Sequence, residues 1–326
     1  MSNQLVKISI IIPAYNASSY IIDTLDSIYK SISNSFEIII VDDKSQDRTL
    51  NVISDFSKNK NNLRVIEKDI NEGPGVARDL GLKYAQGEYT LFFDSDDLML
   101  KNAIDEIVNY MDIHDLDVSI GKYNILYGPE KENIAMWEKD REIYNYIHNN
   151  VGNILDPKIY PKLLTLINYP WTKICKTQYL IKNNVTFGSL RLHEDILPHW
   201  TILMNSNKIH ISEKVICNYI LDPSGNNMTN NSSGLRIQCL NAIQQLYDLI
   251  KSNDVYKPFE SVFWYFSADV IGWAYGIISD EYKKKFHETA KDIFLNISFE
   301  QLQKIYHLNE YFYNNICEFI INKEGI

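Results

Sequence analysis

The first 120 residues of this chain alternate between continuous apolar runs and stretches with the spacing of a helix face, and this alternation limits the fold more than any other feature. The apolar runs lie at residues 8–12, 36–41, 63–66, 89–93 and 118–121. Continuous apolar runs are typical of strands buried on both faces, and strands that alternate with helices form a parallel, doubly wound sheet. The sequence therefore predicts an α/β fold of the Rossmann-like type.

The charge balance of the chain limits its ligands. The formal net charge is -10 over 326 residues, whereas a general nucleic-acid binder needs a basic surface to neutralise phosphates. We therefore expect no nucleic-acid partner. A nucleotide ligand remains compatible with this charge, because a divalent metal can supply the missing positive charge.

The cysteines and the hydrophobic segments indicate a reducing compartment. Cys175, Cys217, Cys239 and Cys317 lie far apart in the sequence, so neither a zinc site nor a disulfide framework is predicted. No signal peptide is recognised, and no stretch reaches the roughly 18 to 20 apolar residues of a spanning helix. We expect a cytoplasmic protein, with peripheral contact at the inner membrane face left open.

Polar motifs follow three of the predicted strands, at the point where each strand ends. In chain order they are Pro13, Ala14, Tyr15 and Asn16, then Asp42 and Asp43, then Asp94, Ser95, Asp96 and Asp97. The carboxyl ends of parallel strands share one edge of a sheet, and ligands bind at that edge in doubly wound folds. We therefore expect these side chains to form one site.

Each motif has a functional and a structural interpretation. Asp94 and Asp96 suit Mg²⁺ or Mn²⁺, which prefer oxygen ligands and would bridge the phosphates of a nucleotide; an acidic loop or helix cap is the alternative. Asp43 can accept hydrogen bonds from a ribose or a nucleobase, and Tyr15 can stack on the base. Capping by the aspartates and partial burial of the tyrosine are the corresponding alternatives.

A Gly/Pro turn at residues 71–75 enters a helix that carries Arg78 one turn in. Helix N-termini favour anions, so Asn71, Gly73 and Arg78 are candidates for phosphate or base contacts. The GxGxxG and GxxxxGK[ST] motifs are both absent, which argues against a dehydrogenase or an ATPase.

Taken together, these motifs resemble glycosyltransferase family 2, whose members adopt the GT-A fold. The matching stretches are residues 10–16, 40–49, 71–78 and 87–97, with looser similarity at Pro170 to Lys173 and at His193-Glu194-Asp195. The resemblance implies inverting transfer of a sugar from a nucleotide diphosphate to an acceptor hydroxyl. It also implies that Asp195 is the general base, with Glu194 beside it.

The resemblance assigns the remaining site residues as well. Metal binding is assigned to Asp94 and Asp96, with Mn²⁺ or Mg²⁺ as the cofactor. Nucleotide-sugar binding is assigned to Pro13, Ala14, Tyr15, Asn16, Asp42, Asp43, Asn71, Gly73, Arg78, Asp94, Ser95, Asp96 and Trp171. The chain departs from the family pattern at Asp79, where asparagine commonly follows the arginine, and at Pro74, which stiffens the turn.

The implied partners are a nucleotide sugar, with UDP as the expected nucleotide, and a glycan or lipid-linked acceptor. The resemblance suggests synthesis of a bacterial surface polysaccharide such as capsule, O-antigen or lipooligosaccharide. A sugar nucleotidyltransferase and a non-catalytic nucleotide-sugar-binding module are the alternatives. We divide the chain into a nucleotide-sugar-binding half (1–122) and an acceptor-binding half (123–229) of the GT-A domain, followed by a C-terminal helical region (230–326).

Three further expectations concern residues beyond 190. Glu194 and Asp195 precede a helical pattern, so the helix dipole is expected to keep the base ionised at neutral pH. The loop at 223–233 could close over the site. Residues 263–279 form an aromatic-rich segment with one charge; we favour packing within the chain or a homodimer through the C-terminal helices over a helix lying on a membrane.

Overall fold

The computed structural model describes residues 5–128, 130, 132–221 and 228–321. The strands within these residues are β1 (Ile8–Ala14), β2 (Phe36–Asp42), β3 (Leu63–Glu67), β4 (Tyr89–Phe92), β5 (Leu98–Met99), β6 (Val118–Tyr127), β7 (Glu132–Asn133), β8 (Ile154–Leu155), β9 (Lys173–Lys176) and β10 (Ile209–Leu221). The α-helices are α1 (Ile21–Ser31), α2 (Thr49–Ser57), α3 (Pro74–Tyr84), α4 (Ala103–His114), α5 (Glu138–Asn150), α6 (Thr177–Lys182), α7 (Ile196–Met204), α8 (Gln238–Ser252), α9 (Glu260–Ile277), α10 (Asp280–Phe294), α11 (Phe299–Leu308) and α12 (Glu310–Ile321).

All of these strands belong to one mixed sheet in which most of the long strands are parallel. The order along the sheet is β3-β2-β1-β4-β9-β6-β10-β5, with β7 paired to β6 and β8 paired to β10. Strands β1 to β4 pair in parallel, as do β6 and β10, whereas β9 is antiparallel to both β4 and β6. The predicted α/β sheet is confirmed, and β9 is the element that joins its two parallel parts.

The core of the sheet is formed by the strands that the apolar runs predicted. Every residue of β1 is buried, and the isoleucines and valine of β2 from Ile38 to Val41 are fully buried. Helix α3 packs so closely on β1 and β2 that a Cβ at Gly81 would lie 2.4 Å from Cγ2 of Ile11. The glycine is therefore required by the approach of helix and strand.

Strand β6 is longer than predicted. The sequence predicted a strand at 118–121, but β6 continues to Tyr127. From Lys122 onwards buried residues of β6 alternate with more exposed ones, so this part of the strand lacks the continuous apolar run of a strand buried on both faces. The division drawn at residue 122 consequently falls inside a strand.

The C-terminal part of the described chain is helical, as predicted. Phe263, Trp264 and Phe266 of α9 are almost completely buried, so the aromatic-rich segment packs within the chain. No described helix combines the length and the apolar character needed to cross a membrane. Residues 223–227 of the predicted loop lie outside the described residues, and self-association stays a prediction.

The contact of α3 with β1 generates a stability prediction. Gly81→Ala should lower the free energy of unfolding by about 1–3 kcal/mol, because the added methyl overlaps Ile11 in a packed core. Gly276→Ala is the matched control, since a Cβ there meets no atom within 4 Å and alanine favours the helix by up to about 1 kcal/mol. Denaturant unfolding of both variants measures the difference. Equal stability of the two variants would show that α3 can shift away from the sheet.

Candidate active site

A cleft of about 930 Å³ opens at the carboxyl ends of the parallel strands. The predicted site residues that line it are Pro13, Ala14, Tyr15, Asp43, Asn71, Gly73, Arg78, Asp94, Ser95, Asp96, Trp171, Glu194 and Asp195. The parallel strands bring these residues together from distant parts of the sequence. Of the predicted residues, Asn16 and Asp42 do not line the cleft.

Asn16 and Asp42 instead organise the loop that follows β2. The Asn16 side chain accepts a hydrogen bond from the Gln46 backbone N–H at 2.8 Å. Asp42 is fully buried at the end of β2, where it accepts a hydrogen bond from the Ser45 N–H at 2.9 Å. Successive side chains of a strand point to opposite faces, so Asp42 and Asp43 cannot share one role.

Asp43 is the member of that pair that reaches the cleft, and it is held firmly. Its carboxylate accepts hydrogen bonds from Lys68 Nζ at 2.6 Å, the Gly73 N–H at 2.7 Å and the Glu72 N–H at 3.0 Å. Gly73 has a φ of +96°, a conformation that L side chains rarely adopt. Asp43 thus fixes the turn before α3 at the wall of the cleft.

Arg78 joins two carboxylates across the cleft. Its Nη2 donates to Asp94 Oδ1 and its Nη1 to Glu194 Oε1, both at 2.7 Å, and only 5% of its side chain is exposed. Asp94 follows β4, whereas Glu194 precedes α7. The guanidinium that the sequence suggested for a phosphate is therefore paired with protein carboxylates and ties the two parts of the site together.

The three carboxylates after β4 separate in the structure. Asp94 pairs with Arg78, Asp97 is buried and accepts the Ile220 N–H at 2.9 Å, and Asp96 faces the cleft. Within the described ranges no group of three or more His, Cys, Asp or Glu side chains is arranged to hold a metal. Mg²⁺ commonly uses one or two carboxylates together with water and substrate phosphates. Asp96, with Asp94 beside it, fits a metal held largely by the substrate.

Burial changes the ionisation of the carboxylates that face the cleft. Burial, with the neighbouring Asp94, raises the pKa of Asp96 to about 6. Burial, followed by the Glu194 carboxylate, raises the pKa of Asp195 to about 7, against the opposing charges of Arg78 and Lys173. The expectation that the helix dipole keeps Asp195 ionised is therefore wrong, because loss of hydration outweighs the small dipole effect.

Lys173 is a buried cation that the sequence analysis did not assign to the site. Its Nζ donates to Tyr169 O at 2.8 Å, Thr172 Oγ1 at 2.9 Å and Asn168 O at 3.2 Å. An ammonium group has three N–H donors, so all three are used. Burial lowers the pKa of Lys173 to about 8. Lys173 thus fixes the preceding loop, of which Asn168, Tyr169, Pro170 and Trp171 line the cleft.

Trp171 and Asp79 have structural roles. Trp171 is 1% exposed and packs against Tyr169 and Tyr123, with ring centroids 4.9 Å and 5.3 Å away, so it supports the wall of the cleft. Asp79 accepts hydrogen bonds from the Thr186 hydroxyl and the Phe187 and Gly188 N–H groups at 2.7–2.9 Å. The departure from asparagine thus holds the segment that leads to Glu194.

Part of the cleft comes from residues that the sequence analysis did not place there. Helix α9 contributes Phe266, Asp269, Val270, Trp273 and Ile277, and the turn before α8 contributes Arg236. The sequence favoured packing within the chain or a homodimer for the segment that contains α9. No local motif could have shown which side of that helix faces the carboxylates.

Comparison with known proteins identifies the family. Residues 9–170 match the family model described as glycosyl transferase family 2. Poly(ribitol-phosphate) beta-N-acetylglucosaminyltransferase TarP of Staphylococcus aureus is 31% identical over 262 residues, which cover 77% of this chain and 74% of that protein. The chain belongs to glycosyltransferase family 2. This membership confirms that the protein is a glycosyltransferase. It argues against the two alternatives, a sugar nucleotidyltransferase and a non-catalytic nucleotide-sugar-binding module.

Two other relatives support the assignment to this family, and two solved structures show the fold. TarS of S. aureus is 30% identical over 229 residues, and a poly(ribitol-phosphate) beta-glucosyltransferase of Bacillus spizizenii is 29% identical over 228 residues. Each match covers 69% of this chain but only 37% and 34% of the relative, so the chain spans about a third of those proteins. The crystal structure of S. aureus TarS 1–349 superposes with a TM-score of 0.73 at 22% identity. Its complex with UDP-GlcNAc superposes with a TM-score of 0.76 at 21% identity. Both comparisons cover 97% of this chain and 89% of the TarS chain. The shared fold is the GT-A fold.

The buried carboxyl group of Asp195 predicts a pH-dependent stability change. A carboxyl group whose pKa is raised on folding costs stability above its unfolded pKa of about 3.9, and the cost is complete once the pH exceeds the folded value near 7. Asp195→Asn should therefore raise the melting temperature more at pH 8 than at pH 5. Asp69→Asn, at an exposed position, controls for the change in net charge. A gain of equal size at both pH values would contradict the raised pKa.

Proposed function

We propose that this glycosyltransferase moves a sugar from a UDP-sugar to a hydroxyl group of a bacterial surface polymer, with inversion at the anomeric carbon. The proposal rests on a difference in ion pairing between two adjacent carboxylates in the cleft. Glu194 is paired with Arg78, whereas Asp195 forms no ion pair within the described part of the chain and faces the same cleft.

The proposed donor site lies at the end of the cleft formed by β1, β2 and α3. Pro13, Tyr15 and Asp43 line this end, where an exposed tyrosine ring can stack on a nucleobase and a fixed carboxylate can accept ribose hydroxyls. Solved structures of S. aureus TarS with UDP and with UDP-GlcNAc support a uridine nucleotide. The diphosphate would then extend towards Asp94 and Asp96.

Asp96 is proposed to hold Mg²⁺ or Mn²⁺ together with the diphosphate oxygens, with Asp94 beside it. When bound, such a metal neutralises the charge that develops on the leaving diphosphate. The protein's own contribution is positional, because Arg78 keeps Asp94 at one fixed place next to Asp96. The raised pKa of Asp96 fits a carboxylate that is fully ionised once a cation lies beside it.

Asp195 is proposed to accept the proton of the attacking hydroxyl. A general base is most effective when its pKa lies near the working pH, and burial brings the pKa of Asp195 to about 7. Inversion follows from a single displacement, since the acceptor oxygen attacks the face opposite the leaving diphosphate. Glu194 cannot serve equally well, because its carboxylate is already bound by the Arg78 guanidinium, although burial raises its pKa as well.

The proposed acceptor is a polymer built from hydroxylated units. The relatives in S. aureus and B. spizizenii are named for transfer to poly(ribitol-phosphate), which favours a teichoic-acid-like polymer over the capsule, O-antigen or lipooligosaccharide that the sequence suggested. Incubation with UDP-GlcNAc or UDP-glucose, Mn²⁺ and poly(ribitol phosphate) tests the proposal. Release of UDP with a β-linked product supports it, and no turnover of any UDP-sugar contradicts it.

The role of Asp195 generates a kinetic prediction. Asp195→Asn should lower kcat by at least about 100-fold, the lower range of general-base assistance, while the Kd for UDP stays unchanged. Glu194→Gln should lose less kcat and mainly raise the acceptor KM, because it loosens Arg78 without removing the base. The wild-type kcat should rise with pH through about 7, as the base ionises. If Asp195→Asn kept near-normal turnover and Glu194→Gln were inactive, Glu194 would be the base and the two assignments would have to be exchanged.

The acidic motif generates a separate prediction. Activity should require Mg²⁺ or Mn²⁺ and be lost in excess EDTA, and Asp96→Asn should abolish the metal-dependent activity. Asp97→Asn is the matched comparison: Asp97 points into the sheet and binds the Ile220 N–H, so its loss should reduce stability before it affects metal dependence. Full turnover in EDTA would show that the leaving group is stabilised by the protein alone.

A further inference from the structure

The far end of the cleft is formed by the C-terminal helices. Phe266, Val270, Trp273 and Ile277 of α9 all line the cleft, and their spacing of three and four residues places them on one face of the helix. Trp264 lies on the side of α9 opposite Trp273 and is fully buried in the core. The helical region therefore contributes a wall to the same cavity that contains Asp195.

Trp273 is unusual among the aromatic residues of this wall because 43% of it is exposed. The Arg236 guanidinium lies over its ring, 4.6 Å from the centroid, and the His193 ring meets it edge to face at 5.9 Å. A cation over an indole and an edge-on imidazole both restrict the ring. The cleft thus presents an exposed indole in a fixed orientation.

His193 has two features that point to a ligand. Its φ is +66°, a conformation that costs energy for a non-glycine residue and is concentrated at functional sites. Its Nε2 is buried and has no hydrogen-bond partner among the described residues, although buried polar atoms are normally paired. Burial, and then the charge of Arg236, lowers the pKa of His193 to about 3, so the imidazole is neutral at physiological pH.

A neutral imidazole and an exposed indole together select a particular ligand chemistry. A neutral imidazole offers one donor and one acceptor, which suits a hydroxyl group. An indole face suits the C–H surface of a sugar ring or a polyol chain. His193 also lies two residues before Asp195, so a ligand bound here would present its hydroxyls near the proposed base.

We propose that Trp273 and His193 form the acceptor subsite, in which the indole packs against the carbon skeleton of a polyol or sugar unit and the imidazole hydrogen-bonds one of its hydroxyls. The inference rests on the proposed function and extends it to the C-terminal helical region. That region then acts as part of the acceptor site, with α9 as its contact element.

The test separates acceptor binding from donor binding. Trp273→Ala and His193→Asn should each raise the KM for poly(ribitol phosphate) about tenfold, the loss expected for one stacking contact or one hydrogen bond. Hydrolysis of UDP-GlcNAc without acceptor, and the Kd for UDP, should stay within about twofold of wild type. Asparagine tolerates a positive φ, so His193→Asn preserves the backbone.

Two variants serve as controls. Trp273→Phe keeps an aromatic ring and should hold the acceptor KM within about threefold of wild type. Tyr311→Ala removes an aromatic residue of α12 that is 67% exposed and is not among the residues lining the cleft, and it should change neither activity.

Each contrary outcome has a distinct meaning. An unchanged acceptor KM in Trp273→Ala and His193→Asn overturns the inference, as does a parallel loss of transfer and hydrolysis, which would indicate a structural role. A wild-type enzyme that hydrolyses the donor but transfers to neither poly(ribitol phosphate) nor free ribitol or sugars also overturns it. Absence of both hydrolysis and transfer overturns the proposed function itself.

Discussion

The ion pairs of Arg78 with Asp94 and Glu194 hold the site together. Asp94 comes from the end of β4 and Glu194 from the start of α7, and no backbone pairing joins these two segments. A buried charge that loses its partner is strongly destabilising, so all three groups must stay in place together. This requirement positions Asp195, the residue next to Glu194, at the cleft without an ion pair among the described residues.

The same arrangement explains why the site contains carboxylates that are difficult to ionise. The cleft removes much of the water around Asp96 and Asp195, which stay partly exposed, and Arg78 divides its charge between two other carboxylates. The resulting pKa values near neutrality suit a base and a cation ligand. The stability lost at these positions is offset by the isoleucine-rich core of β1 and β2 below them.

The sequence predicted the parts of this protein whose signals are local. The apolar runs identified β1 to β4, and the polar residues after β1, β2 and β4 identified one end of the cleft, because parallel strands end at the same edge. Strand β9 was not predicted, because its four residues, with a lysine at each end, are too few to show the hydrophobic alternation of a strand. The contact between His193 and Trp273 depends on how α9 packs against the rest of the chain. Such long-range packing leaves no motif in the sequence. Asp42 was misplaced because neighbouring positions at a strand end face opposite ways, and Asn16 because its side chain bonds the loop after β2 instead.

The position of β9 has a consequence for how the chain acquires its structure during synthesis. Strand β9 lies between β4 and β6, although 80 residues of sequence separate the end of β4 at Phe92 from the start of β9 at Lys173. Until Lys173 to Lys176 leave the ribosome, the apolar strand β4 has one unpaired edge, and such edges recruit other strands. The stretch that carries the family signature, residues 9–170, ends just before this strand. A fragment cut at that boundary would contain the motifs of residues 10–97 and still present an open edge at the centre of its sheet.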